Sequence, residues 1–198
     1  MTRKSILLAG VALAFALATG AQAQTMAPKS QMDKSTQMGQ SQAQKGDKDS
    51  QKFIKAAIEG NLAEVDVGKL AQEKGKSDAV KKFGQMLETD HAKANDEAKS
   101  VAQQVGVEPP SGASVGEKAT YLKLKVLSGD TFDKSFANTM VSDHESDIKQ
   151  YQKASGKNDA VGEYAKKTLP TLQKHLQEAK QLQAQLKQQA TTGSKSKQ

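Results

Sequence analysis

The chain has 198 residues, 36% of them hydrophobic, with 29 basic against 22 acidic side chains, a formal net charge of +7 and neither cysteine nor tryptophan. Without cysteine it has no disulfide, thiolate ligand or lipid-modified residue, so the fold must stand on its core alone. Positive charge would suit nucleic acid, but the single arginine, Arg3, lies in a leader expected to be removed and aromatics make up 4%, leaving the mature chain no guanidinium to fork onto phosphates and few rings for bases to stack on; nucleic acid is not expected as a partner.

The N-terminus reads MTRKS, then ILLAGVALAFALA, then TGAQA. A basic start, a short apolar run and small residues at Ala21 and Ala23 predict a signal peptide over residues 1–23, cleaved after Ala23. The chain is therefore expected to be periplasmic or secreted and not a lipoprotein. The run falls short of the ~20 apolar residues of a spanning helix, and no later segment approaches that length, so the mature chain is expected to lack a transmembrane segment. Residues 24–49 are rich in Gln, Ser, Lys and Met, with Met26, Met32 and Met38 as almost their only large apolar side chains. Such a stretch buries too little to offset its ordering entropy and reads as disordered, as do residues 191–198. The lysine excess lies mostly in these tails; it suits a solvated face and a weak association with an anionic envelope surface.

Residues 50–190 make one domain without a strand pattern, rich in Ala, Lys, Gln, Glu and Leu. The first helix is predicted from Ser50 as N-cap to about Lys74, with Ile54, Ile58, Leu62 and Val65 on one face and Gly75 as its stop. The second opens at Ser77, carries Val80, Phe83, Leu87, Ala94, Ala98, Val101 and Val105, and ends before Gly106. VEPPSGAS follows, which no helix crosses. A short helix starts at the Ser114–Glu117 capping box and runs through Leu122 and Val126 to Ser128-Gly129. Asp130 is read as the cap of the next, with Phe132, Phe136, Met140, Ile148 and Tyr151 in line to Ser155-Gly156. The last begins near Asn158 with Val161, Ala165, Leu172, Ala179, Leu182 and Leu186 on one stripe, and Pro170 predicts a kink. Two tight breaks and one long one predict an all-α fold: a ferritin-like four-helix bundle of two hairpins joined by a long crossover carrying a short extra helix, with an up-and-down bundle bearing a decorated middle loop as the alternative.

The three histidines fall on these stripes. His91 lies four residues after Leu87, His144 four after Met140, and His175 three after Leu172. Each sits about 13 to 17 residues into its helix, roughly 20–25 Å along the axis, so three imidazoles from three helices are expected to meet at mid-bundle. Glu64 is the midpoint acid of the first helix, on the row of Ala57, Asn61, Gly68 and Ala71. Glu88 stands three before His91, the E-x-x-H spacing. Asp90 and Asp143, each one residue before a histidine, are read as facing away from the stripe.

The segments FIKAAIEGNLAEVDVGKLA, VKKFGQMLETDHAKAN, SGDTFDKSFANTMVSDH and LPTLQKHLQEAKQL closely resemble the secreted bacterial family catalogued as domain of unknown function 4142, over nearly all of 50–187. The resemblance implies a ferritin-like bundle exported to the periplasm or outer membrane. The chain departs from a di-iron pattern, since Val141 and Leu172 stand where E-x-x-H needs acids. What it retains is a mononuclear site for one transition metal (Fe, Cu, Mn or Zn) made by His91, His144 and His175, completed by Glu64 or Glu88. Catalytic signatures fail: Gly112-Ala-Ser-Val-Gly116 has no strand before it, and His144-Glu145 is followed at 148 by Ile rather than His. The sequence thus points to a metal-binding, stress- or envelope-related bundle, more readily a non-enzyme than an enzyme. The alternative is a structural or interaction bundle whose histidines tune packing.

Overall fold

The computed structural model describes residues 46–195; the expected leader and most of the expected N-terminal tail lie outside them. Five helices follow in order: α1 Lys48–Lys74, α2 Asp78–Gln104, α3 Val115–Lys125, α4 Gly129–Ser155 and α5 Ala160–Lys195. No strand occurs among the described residues, and none of their helices is long and apolar enough to cross a membrane. The pairs α1–α2 and α4–α5 are the two hairpins, residues 105–128 form the crossover, and α3 lies against α1 and α4. This is the ferritin-like arrangement of two hairpins that the spacing of the breaks implies.

Several boundaries differ from the sequence reading, and at the starts of α1 and α4 a tertiary contact accompanies the difference. The N-cap of α1 is Asp47, whose carboxylate accepts from Ser50 N at 2.8 Å. Residues 46–49 are drawn out of the expected tail because Gly46 N bonds Val105 O and Lys157 pairs with Asp47. Ser77 and the Ser114–Glu117 capping box start α2 and α3 as expected, but α3 stops at Lys125, with Leu124 buried and Leu122 and Val126 exposed. Ser128, not Asp130, is the N-cap of α4; Asp130 reaches Lys76 instead, at 3.0 Å. The last helix takes in Pro170 and continues to Lys195, past the boundary expected at 190.

Each hairpin turn is fastened from across the bundle. The fully buried Asp133 of α4 accepts from Lys76 N and Ser77 N, both at 2.9 Å. At the other end, Asp159 accepts from Ser50 Oγ and from Gly162 N. Helices α1 and α2 touch backbone to backbone where Gly68 meets Gly84: a Cβ on either would lie 2.6 Å from the other's carbonyl oxygen. The buried face of α1 consequently turns from Leu62 and Val65, which are half-buried, onto Asn61, Glu64, Val67 and Gly68.

The core is two apolar clusters. One holds Val67, Leu70, Phe83, Leu87, Phe132, Phe136, Met140 and Leu182, the other Ile54, Ile58, Ala98, Ala102, Tyr151, Val161, Tyr164 and Leu172. Between them in the chain register of every long helix lie the buried polar side chains Asn61, Glu64, His91, Asn95, His144 and His175.

Candidate metal centre

His91 comes from α2, His144 from α4 and His175 from α5, each at mid-helix. All three are buried, and one nitrogen from each lies within 4.8 Å of the others. Ring centroids are 5.2–5.7 Å apart.

The hydrogen bonds on the far side of each ring fix its tautomer. His91 Nδ1 is 2.9 Å from Asn61 Oδ1, while Asn61 Nδ2 donates to Tyr164 Oη at 3.0 Å; the amide oxygen therefore accepts, and Nδ1 carries the hydrogen. His144 Nδ1 donates to the Met140 carbonyl at 2.9 Å. His175 Nε2 donates to Asp90 Oδ2 at 3.0 Å. Each neutral imidazole then has one lone pair left: on His91 Nε2, His144 Nε2 and His175 Nδ1. His91 Nε2 is buried with no hydrogen-bond partner, and the other two face each other at 3.3 Å. Two lone pairs at that distance repel unless a cation stands between them.

A proton is a poor candidate for that cation. Burial pushes the His91 pKa well below its usual value, and any charge on His144 or His175 lowers it further. Burial and the nearness of His175 bring His144 down to about 4, against a small upward effect of the Met140 carbonyl. His175 is also lowered by burial, though Asp90 opposes the shift. At neutral pH the cluster thus presents three neutral donors. Metal-bound histidine shows this same arrangement, its second nitrogen donating to a carboxylate, carbonyl or amide that holds the ring and raises its basicity.

The two expected carboxylate ligands are placed elsewhere. Glu88 Oε2 accepts from Gln72 Nε2 at 2.6 Å across the α1–α2 contact. Glu64 is buried, and that burial, reinforced by the charges of Asp147, Asp143 and Glu117, holds its carboxyl well above the usual range. It lines a cleft of about 270 Å³ under α3 with those acids, and its Oε2 has no hydrogen-bond partner. Asp90, read as facing away, turns toward α5 and orients His175. Asn61, noted only as a small neighbour of Glu64, orients His91. Its signal was its place three residues before Glu64 on the same buried row.

The profile of a family described as Domain of unknown function (DUF4142) matches residues 34–182. Among solved structures, the chain is similar to that described as "Crystal structure of DUF305 fragment from Deinococcus radiodurans", with a TM-score of 0.63 at 11% identity over 70% of this chain and 97% of that one. At that identity the likeness concerns the fold. No curated protein matches significantly.

Proposed function

The chain belongs to the family described as a domain of unknown function, DUF4142, and for this member we propose that the bundle binds one transition-metal ion through His91 Nε2, His144 Nε2 and His175 Nδ1. The observation that carries this is the convergence of three lone pairs whose tautomers are set by Asn61, Met140 and Asp90. Three imidazoles suit Zn, Cu or Fe better than the oxygen-seeking ions, and three protein ligands leave a further coordination position for water or an anion. Asp90 offsets part of the ion's charge through His175. Export to the envelope fits the basic, apolar and small-residue order of the first 23 residues.

The test is elemental mass spectrometry of the purified chain from Gln24 onward, beside the variant His91→Gln/His144→Gln/His175→Gln. About one equivalent of metal, absent from the variant, is the expected result. Protein that is metal-free as isolated and takes up none of Fe, Cu, Mn or Zn overturns the proposal and leaves the histidines as buried packing residues.

A further inference from the structure

Glu64 has no part in the histidine trio, and its burial demands another explanation. Its side chain is 6% exposed, one oxygen is unpartnered, and it lines the cleft under α3 with Glu117 of α3 and Asp143 and Asp147 of α4. None of these four carboxylates belongs to an ion pair among the described residues, and no lysine lines the cleft, on a chain with a net charge of +7. A buried carboxyl with an unpartnered oxygen, facing a cleft lined by three further acids and no lysine, is an environment that a cation would complete.

A second, smaller cleft of about 100 Å³ adjoins the first, shares Gly60, Glu117 and Asp147 with it, and ends on His91 and Asn61. Gly60 stands on the shared rim with no side chain to narrow it; a Cβ there would meet only Glu117 Oε1, at 3.5 Å. The acidic cleft is thus joined to the edge of the histidine cluster.

We infer that this cleft is a cation vestibule: it holds a hydrated divalent metal ion among Glu64, Glu117, Asp143 and Asp147 and delivers it to the histidine trio. The inference rests on the trio being the metal site. The cleft volume is several times the ~30 Å³ share of one water, enough for an ion with its inner waters. Among the described residues the three histidines are the one group of three or more ligand residues placed to hold an ion directly, so the carboxylates act on the ion through its waters and through the field. A low-dielectric cleft of one sign raises association rates by about 10–10³ and loses that advantage in salt.

Zinc uptake followed by stopped flow against a chromophoric chelator tests this, with equilibrium stoichiometry measured on the same samples. The variant Glu117→Gln/Asp147→Asn removes two of the four acids yet keeps the capping box, because Gln accepts from Ser114 N as Glu does. It is expected to load at least tenfold more slowly than wild type, with a flatter dependence on salt and the same final stoichiometry. Gly60→Leu, which fills the shared rim without altering charge, is expected to slow uptake as well and guards against misfolding of the first variant. Wild-type rate and salt dependence in both variants, with normal final loading, overturn the vestibule and leave the histidine site standing. Failure of the wild-type protein to bind more zinc at equilibrium than the triple-histidine variant overturns both.

Discussion

Replacing Gly84 by alanine probes the contact that lets α1 and α2 bring Asn61 up to His91. The new Cβ would lie 2.6 Å from the Gly68 carbonyl oxygen and 2.7 Å from the Ala71 Cβ, where ordinary contact begins near 3.4 Å. Neither neighbour is the loose end of a long side chain, so the helices must part by several tenths of an ångström. Overpacking costs ~1–3 kcal/mol, and a clash with backbone belongs at the upper end; alanine's better helix propensity returns ~1 kcal/mol. The net loss is about 2 kcal/mol, or ~4–8 °C in Tm for a chain of this size. Urea unfolding with a common m value measures it. Gly60→Ala is the internal control: its Cβ meets only a carboxylate oxygen at 3.5 Å, so the propensity gain stands and stability rises by about 0.5–1 kcal/mol. A Gly84→Ala protein as stable as wild type would refute the close-contact argument, and equal effects of the same sign at both glycines would refute the use of Cβ geometry to separate them.

Asp90→Asn keeps an acceptor for His175 but removes its charge, and is expected to weaken metal affinity 10–100-fold without changing stoichiometry, as read by competition with a chelator. Asp133→Ala leaves Lys76 N and Ser77 N without their acceptor and should destabilise by about 3 kcal/mol, measured by urea unfolding. In the metal-free protein, pH acts through two opposed sets of groups. His144 is neutral in the folded state down to about 4, while the unfolded chain takes up its proton near 6.5; its stabilisation is present above 6.5 and lost as pH falls toward 4, a change of about 3 kcal/mol. Asp147 is raised to about 7 by burial and by Asp143 and Glu117, so the folded state holds its proton, and that contribution is present at low pH and lost as pH rises through 7. The triple-histidine variant should therefore become more stable on acidification from pH 7 toward 4, whereas Asp147→Asn should lose stability more steeply than wild type over the same window; urea midpoints across pH decide it.

The helices were legible because local signals and tertiary structure agree there. Ser77 and the Ser114–Glu117 box are caps whose partners lie within three residues, and every residue assigned to the apolar stripe of α5 is buried. The start of α1 was not legible, since it depends on Lys157 and Val105, more than fifty residues away in sequence. The histidines were legible from face and depth alone. Their supporting groups were not: Asp90 sits one residue off the stripe and serves an imidazole on a different helix, and a backbone carbonyl such as that of Met140 has no sequence signature. Glu64 was correctly placed inward but assigned to the wrong neighbours, because α3, which brings Glu117 beside it, occupies a position that periodicity within α1 does not reveal.

The division of the core into two apolar clusters has a mechanical meaning. Each end of the bundle is closed by its own aliphatic and aromatic packing and its own fastened turn, so the protein is built as two short bundles threaded on the same four rods. Cooperative units of this kind open separately, with free energies below that of global unfolding. A metal ion held by α2, α4 and α5 at the waist would rivet three of the rods together and merge the halves into one unit, turning metal occupancy into a setting of how stiff the whole rod bundle is.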